Sequence, residues 1–412
     1  MYPCDAEHAR RWHGACASDA ELRDLSAAAE IAFCVASGAQ RLTFVFREGR
    51  YAGGEGVEAP AFTLVADATD WARFFRPVPP PAYQNFFGMR MRVGSARVEG
   101  SELAMAQHAH LVRRVLEIGR ETLGGTCIEP DPPRRSKTHL RAGYVEIGID
   151  GQPVDVFYES AGTGPDVLLL HTAGADGRQY QDLMSDTQLT QRCRLTAFDL
   201  PGHGRSDPWP GVAPGAYALT TERYAQTILA VMDALKLQRP VVSGSSMGGE
   251  ICLEMAYRAA ARLSGVIACE ASDHVPGRAT PWARHPRINQ SLFVPEWVDG
   301  LMAPQSPIAC RKKVWWGYSQ GGYATFAGDI DFYTGDWDGR DRVAAIDTRA
   351  CPVVMMTGEY DYSCTPAMSQ ATADKIPGAV FWSMPCLGHF PMTENPSRFA
   401  VHFNRALDLL GV

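Results

Sequence analysis

The feature that most constrains this 412-residue chain is a serine between two glycines, Gly244-x-Ser246-x-Gly248, where two different patterns meet. An apolar run of strand type ends at residue 243, and a helical pattern follows over residues 250–262. A sharp turn from a strand into a helix strains the backbone of its central residue and crowds the neighbouring chain. Small residues two positions to either side relieve that crowding, so the pattern predicts a nucleophilic Ser246 above the sheet edge.

The patterns around this turn predict the fold of the last two thirds of the chain. Residues 144–149 and 154–159 alternate around Asp150-Gly151, which is typical of a hairpin. Short apolar runs, typical of strands covered on both faces, follow at residues 166–171, 194–199, 241–243, 263–269 and 352–357. Helical patterns intervene at residues 179–190, 222–237 and 250–262. We therefore predict an α/β fold with a doubly wound, mostly parallel sheet, in which ligands bind beyond the carboxyl ends of the strands.

A serine hydroxyl is a weak nucleophile and needs a base, which in turn needs a carboxylate to orient it. The apolar run at residues 352–357 leads into Gly358-Glu359-Tyr360-Asp361, and we choose Asp361 over its rival Glu359, which is nearer the strand. His389 stands in a loop between the last predicted strand, residues 381–384, and a helix at residues 396–410. We therefore predict that Ser246, Asp361 and His389 act together.

The negative oxygen that forms during such an attack needs two backbone N–H groups aimed at one point. We expect one from Met247, which follows the nucleophile, and one from the loop at residues 171–174, most directly from Ala173. The predicted substrate contacts are Thr172, Ser245, Trp315 and Trp316.

Four segments carry a resemblance to a known family. His-Thr-Ala-Gly at residues 171–174, Asp-Leu-Pro-Gly-His-Gly-Arg-Ser at 199–206, Gly-Ser-Ser-Met-Gly-Gly at 244–249 and Gly-His-Phe-Pro at 388–391 occur in this order. As a set they resemble the α/β-hydrolase superfamily over residues 143–412. The resemblance implies a cofactor-independent serine hydrolase with Ser246, Asp361 and His389 as its triad. Thr172 stands where many members have glycine, which leaves the second oxyanion donor open.

The segment at residues 272–349 is expected to be a lid inserted between two strands. Its aromatic residues are Trp282, Phe293, Trp297, Trp315, Trp316, Tyr318, Tyr323, Phe326, Phe332, Tyr333 and Trp337. A lid of this composition favours a substrate with an apolar or aromatic portion. Glu270 and His274, just past a predicted strand, either touch substrate or anchor the lid.

The predicted reaction is hydrolysis of a carboxylic ester through an acyl-enzyme. Hydrolysis of a carbon–carbon bond, a lactone or an amide needs the same residues and remains an alternative. A non-catalytic protein that binds a lipid or small molecule is the alternative from a different class.

Residues 1–126 are predicted to form a small α+β domain. Helical patterns at residues 21–35, 70–75 and 102–123 surround strand patterns at residues 41–46 and 61–65. This order resembles sterol-carrier-protein-like domains, whose apolar tunnels hold lipids; a structural or dimerising role is the alternative. Residues 127–142 contain Pro130, Pro132 and Pro133 and are predicted to be a linker.

Composition excludes several classes of partner. The net charge of -7 and the lack of a long basic run argue against nucleic acid as a main partner. We expect no signal peptide at residues 1–23 and no membrane span. The eleven cysteines are scattered without a Cys-x-x-Cys pair, which favours reduced thiols in a cytoplasmic protein; a homodimer is left open.

Overall fold

Two separate β-sheets organise the chain, one of five strands within residues 31–100 and one of eight strands within residues 141–384. The computed structural model describes residues 5–56, 59–213 and 215–412. The predicted fold class is confirmed: a doubly wound, mostly parallel sheet with a large insertion follows a small α+β unit.

The amino-terminal unit, residues 5–123, has a mixed sheet with helices around it. Its helices are α1 (Ala6–Ser18), α2 (Ala20–Leu25), α3 (Ala68–Phe74), α4 (Phe86–Arg92), α5 (Glu102–Gln107) and α6 (Ala109–Leu123). Its strands are β1 (Ile31–Ser37), β2 (Gln40–Arg47), β3 (Arg50–Gly53), β4 (Phe62–Val65) and β5 (Arg97–Gly100), in the order β3-β2-β1-β4-β5. Only β1 and β4 are parallel neighbours; the other pairs are antiparallel.

Two helix predictions in this unit are wrong in part. The helix expected over residues 21–35 ends at Leu25, and the rest enters β1, where Phe33 stacks on Phe62 with ring centroids 5.2 Å apart. The alanines favoured a helix locally, but pairing with strands on both sides decides the outcome. The helix expected over residues 102–123 breaks at His108, whose ring lies 2.8 Å from the carbonyl oxygen of Ala104.

The second sheet begins with an antiparallel hairpin and continues as six parallel strands. Its strands are β6 (Arg141–Ile149), β7 (Gln152–Ala161), β8 (Asp166–Leu170), β9 (Arg194–Phe198), β10 (Val241–Ser245), β11 (Gly265–Cys269), β12 (Val353–Gly358) and β13 (Val380–Met384). The spatial order is β13-β12-β11-β10-β8-β9-β7-β6. The strand order reverses beside β8, and such a reversal opens a crevice at the carboxyl ends of the strands.

The helices of this part of the chain pack against the sheet, follow its strands or belong to the insertion. They are α7 (Thr187–Arg192), α8 (Thr221–Ala234), α9 (Met247–Arg258), α10 (Gln290–Asp299), α11 (Ile308–Tyr318), α12 (Thr325–Asp331), α13 (Pro366–Ala373), α14 (Pro391–Glu394) and α15 (Pro396–Leu409). The helix expected over residues 179–190 is wrong for most of its length. A 3-10 turn occupies Gly177–Tyr180, and α7 begins only at Thr187 because Asp186 caps it by accepting from the amides of Gln188 and Leu189.

The insertion, residues 272–349, contains α10, α11 and α12 and contacts both other parts of the molecule. Arg113 of α6 donates to Glu296 of α10 at 2.7 Å, and little of either side chain is exposed. On the other side, the amide of His389 donates to the carbonyl oxygen of Leu301 at 3.0 Å. Among the helices of the described residues, none is both long enough and apolar enough to cross a membrane.

Candidate active site

Ser246 occupies a strained turn between β10 and α9. Its backbone angles are φ 60° and ψ -123°, a conformation that L-residues rarely adopt. A Cβ at Gly244 would lie 2.4 Å from the carbonyl oxygen of Gly248, so a larger residue does not fit there. The glycine spacing therefore has the predicted steric cause, which is the close approach of the two chain segments on either side of Ser246. The turn is covered, however: only 2% of Ser246 is exposed.

His389 and Asp361 form a buried pair. Nδ1 of His389 lies 2.7 Å from Oδ2 of Asp361. The other carboxylate oxygen accepts hydrogen bonds from the amides of Ser363 at 2.7 Å and Cys364 at 3.2 Å. These contacts fix the carboxylate against the imidazole, and the engaged Nδ1 leaves Nε2 as the ring nitrogen available for proton transfer.

The turn at Ser246 and the loop of His389 are directly connected. The hydroxyl of Ser245 donates to the carbonyl oxygen of His389 at 3.1 Å. Because β10, β11 and β12 are parallel neighbours, their carboxyl ends meet at one sheet edge, where Ser246 and Asp361 both lie. The structure thus brings the three predicted residues to the same edge.

Glu359, the rival acid, has a different position. Its carboxylate accepts a hydrogen bond from the amide of Cys386 at 3.0 Å, so it holds the loop that leads to His389. Among the described residues, the carboxylate bonded to the imidazole of His389 is that of Asp361.

A second carboxyl group, Glu270, lies beside the His389–Asp361 pair. It follows β11, has φ 52°, is fully buried, and both of its oxygens accept from the amide of Gly358 at 3.0–3.1 Å. Burial raises the pKa of Glu270 well above its ordinary value, and the charge of Asp361 raises it further. The environment of Glu270 therefore favours the neutral carboxyl form more than that of an exposed glutamate does. One sequence signal points to Glu270: an acid directly after a strand that lies between β10 and β12.

Glu270, Asp361 and His389 also have the spacing of a possible metal site. One ligand atom from each lies within 4.8 Å of the others. Nδ1 and Oδ2 are, however, joined by a direct hydrogen bond, and both oxygens of Glu270 accept from the amide of Gly358. We interpret the three groups as a hydrogen-bonded array.

The loop at residues 171–174 is held on both sides of Ala173. The amide of Thr172 donates to Oε1 of Gln179 at 3.0 Å, and the amide of Gly174 donates to Oδ2 of Asp329 at 2.7 Å. The amide of Ala173 donates to no acceptor in the described part of the chain. The amide of Met247, at the first position of α9, belongs to those that have no acceptor within a helix. Both predicted oxyanion donors are therefore available.

His171 organises this loop. Its Nε2 accepts a hydrogen bond from the amide of Leu200 at 3.0 Å. Burial lowers the pKa of His171 to about 4, and the nearby His203 lowers it further. The ring is therefore neutral, as an acceptor must be.

The four predicted substrate contacts fall in three different places. Thr172 and Ser245 are buried beside the triad, and Oγ1 of Thr172 lies 2.6 Å from the hydroxyl of Tyr318. Trp315 donates its indole N–H to Glu296 at 2.9 Å and faces the amino-terminal unit. Trp316 is 53% exposed and lies under the guanidinium of Arg178.

Other aromatic residues of the insertion contact the site more closely. The ring of Tyr333 lies 6.3 Å from that of His389, and it belongs to a π-helical turn, Phe332–Asp336. The ring of Tyr318 lies 5.3 Å from that of Phe390. The aromatic composition predicted such contacts but not which residues make them.

Glu394 was not identified from the sequence, although it fixes the His389 loop. One of its oxygens accepts from the amides of Gly388 at 2.8 Å and Phe390 at 3.1 Å. The other accepts from the amide of Ala303 at 2.7 Å and the hydroxyl of Ser306 at 2.9 Å. Burial raises the pKa of Glu394 to about 7, against the lowering effect of these hydrogen bonds. One side chain thus joins the His389 loop to the insertion.

Comparisons with known proteins agree on the second sheet and its helices. Residues 167–402 match the model of the Alpha/beta hydrolase family. A zearalenone hydrolase of Bionectria ochroleuca is 34% identical over 93 residues, which are 22% of this chain and 34% of the relative, so this match spans about a third of that protein. An uncharacterized protein of Mycobacterium tuberculosis is 25% identical over 279 residues, 61% of this chain and 77% of the relative. A solved structure, a thermophilic esterase from Thermogutta terrifontis, has a TM-score of 0.53 and 23% identity over 66% of this chain and all of that one.

Proposed function

Because the chain belongs to the alpha/beta hydrolase family, we propose that it is a serine hydrolase that cleaves a carboxylic ester through an acyl-enzyme. The observation that carries the proposal is the strained Ser246 at the same sheet edge as the His389–Asp361 pair, whose atoms are 2.7 Å apart. A protein that only binds ligands has no physical need for a strained serine together with an oriented imidazole.

The reaction follows from these positions. Nε2 of His389 removes the proton of the Ser246 hydroxyl as its oxygen attacks the ester carbonyl, and Asp361 stabilises the imidazolium. The amides of Met247 and Ala173 donate to the oxygen that becomes negative. His389 then gives its proton to the departing alkoxide, and the acyl group stays on Ser246. Water, deprotonated by His389, attacks the acyl-enzyme and releases the acid.

The substrate is proposed to have an apolar or aromatic portion, and the insertion is proposed to act as a lid. Tyr318 and Tyr333 support both statements, because they bring aromatic surface to Phe390 and His389. The relative named zearalenone hydrolase and the esterase of similar fold favour hydrolysis over a purely binding role. Carbon–carbon bonds, lactones and amides remain alternatives to the ester.

A fluorophosphonate probe tests the activated serine. We expect one adduct in the intact-protein mass of the wild type and none in Ser246→Ala, whereas Ser397→Ala, which changes an exposed serine of α15, keeps the adduct. Turnover of short aryl esters should follow the same pattern. Equal ester hydrolysis by wild type and Ser246→Ala would contradict the proposal.

The amino-terminal unit supports a second, binding role. A cavity of about 500 Å³ lies between this unit and the insertion, and Phe74, Phe86, Met105 and Leu116 are among its lining residues. This cavity favours retention of a small molecule, as the resemblance to sterol-carrier-protein-like domains implies; a structural or dimerising role is the alternative. The homodimer stays a prediction, as does the cytoplasmic location, which the free thiols of the ten described cysteines support.

A further inference from the structure

Arg278, in the insertion shortly after β11, is a buried cation without a counter-ion. It is 2% exposed, and its Nε and Nη1 atoms are fully buried without a hydrogen-bond partner. Among the described residues, no carboxylate forms an ion pair with it. Arginine is rarely buried unless it is paired, because an unpaired buried charge is strongly unfavourable. A group from outside the chain would remove this penalty.

The acids nearby are already engaged. Asp299 pairs with Arg311 at 3.1 Å, and Asp361 is bonded to His389. Asp273, five residues before Arg278, pairs with Lys375. If one of these carboxylates moved to pair with Arg278, it would have to leave the cation or the histidine that it now contacts.

Arg278 lies beside α10, the helix that leads to the contact with the His389 loop. Its guanidinium carbon is 5.2 Å from the ring centroid of Trp297 in α10, and four residues further on the carbonyl oxygen of Leu301 accepts from the amide of His389 at 3.0 Å. Burial raises the pKa values of Tyr318 and Tyr362, and the positive charge of Arg278 acts on both in the opposite direction. The hydroxyl of Tyr318 is 2.6 Å from Oγ1 of Thr172 in the oxyanion loop. Tyr362 directly follows Asp361 in the chain. The guanidinium is thus on the side of the site where α10 meets the His389 loop, and its charge acts on tyrosines that adjoin Thr172 and Asp361.

Other polar groups around Arg278 also lack partners. The guanidinium carbon lies 5.2 Å from the ring centroid of Trp297, an arrangement that holds the cation while leaving its N–H groups free. The indole N–H of Trp297 and the hydroxyl of Tyr362 are buried and form no hydrogen bond within the described residues. The region therefore combines a positive charge with several unused donors.

We propose that the substrate carries, in addition to its scissile bond, a carboxylate that binds Arg278. A carboxylate supplies the missing charge and two acceptor oxygens, which match a guanidinium edge geometrically. This inference rests on the proposed hydrolase function and narrows it from apolar esters to esters that also bear an acid. The carboxylate is on the acyl part or on the alcohol part of the ester.

Two matched pairs of esters test the proposal and distinguish these positions. The acyl-side pair is p-nitrophenyl hydrogen glutarate and its methyl ester; the alcohol-side pair is p-acetoxybenzoate and its methyl ester. For one pair, we expect wild type to show a kcat/KM about ten- to a hundredfold higher for the acid than for the methyl ester, as a charge-assisted hydrogen bond implies. Arg278→Met should reduce that ratio to about one. The matched control, Arg284→Met, removes an arginine whose side chain is 43% exposed and pairs with Asp331, and should keep the ratio.

A wild type that prefers the acid in neither pair would overturn the proposal, as would an Arg278→Met variant that keeps the preference. Thermal unfolding checks the fold: Arg278→Met should raise Tm, because it removes an unpaired buried charge at similar side-chain length. Calorimetric titration with glutarate separates this inference from the proposed reaction. Binding to wild type but not to Arg278→Met supports the carboxylate site even if no ester is hydrolysed, and equal binding to both contradicts it.

Discussion

Two buried carboxyl groups near His389 differ in their contacts, and the difference assigns their roles. Asp361 is bonded to Nδ1, whereas Glu270 carries a strongly raised pKa because of burial and the adjacent Asp361. We expect Asp361→Asn to lower kcat by about 10⁴, since the amide presents the wrong partner to the imidazole. Glu270→Gln should change kcat by less than about tenfold, because the raised pKa favours the neutral form that glutamine resembles, and the glutamine oxygen can still accept from the amide of Gly358.

Steady-state kinetics of an aryl ester for the two variants measures this difference. Circular dichroism of both variants controls for the fold. A loss in Glu270→Gln as large as that in Asp361→Asn would mean that Glu270 is ionised and shares the catalytic role.

Among single residues, the sequence identifies those whose roles follow from their order along the chain and from the strands they follow. Ser246, Asp361 and His389 each follow a recognisable strand, so their approach to one edge could be predicted. Glu394 and Arg278 could not be identified in this way. Their roles depend on partners that are distant in sequence, or on the absence of a partner.

At the scale of elements, the His389 loop depends on Glu394. Each oxygen of this carboxylate accepts two hydrogen bonds, and the four together join the loop to the insertion. In Glu394→Gln the amide NH₂ faces two donors instead of accepting from them. At a pH above about 8, where a carboxyl group with a pKa of about 7 is ionised, we expect a fall in the free energy of unfolding of about 1–3 kcal/mol, as for unpaired buried groups, and a fall in kcat.

Glu359→Gln is the matched control, because its side chain holds the same loop through the single amide of Cys386. Denaturant unfolding measures the free energy of unfolding of both variants, and turnover of an aryl ester measures their kcat. A Glu394→Gln protein with wild-type values of both quantities would show that the four hydrogen bonds do not position His389.

The elements themselves were predicted where burial on both faces produces a distinctive pattern. The apolar runs of β8, β10, β11 and β12 are of this kind, and all of their residues are buried. The sequence predicts a helix over most of β1 because its alanines show no clear periodicity. Only pairing with the neighbouring strands selects the extended form. The split at His108 likewise has no local signal such as proline or glycine.

At the scale of the whole molecule, two buried acids link stability to pH. Burial raises the pKa of both Glu296, at the contact with the amino-terminal unit, and Glu394, at the His389 loop, to about 7. Unfolded glutamate has a pKa of about 4.3. Between these values the folded protein keeps protons that the unfolded chain has released. The free energy of unfolding should therefore fall as pH rises from about 5 to 7, and then level off.

Each group contributes a slope of at most about 1.4 kcal/mol per pH unit inside that window. Urea unfolding of wild type and Glu296→Gln across the window measures the effect, and the variant should show a shallower dependence. A wild-type stability that rises with pH over this range would refute the assignment.

The near-complete cover over Ser246 has a kinetic consequence. Ser246 is 2% exposed and His389 is 4% exposed. With the insertion acting as the proposed lid, each turnover includes an opening of the insertion, and the frequency of opening sets an upper limit on kcat/KM whatever the speed of the chemistry. For activated esters, which react rapidly once bound, the rate should become insensitive to the leaving group and report the motion of the protein instead.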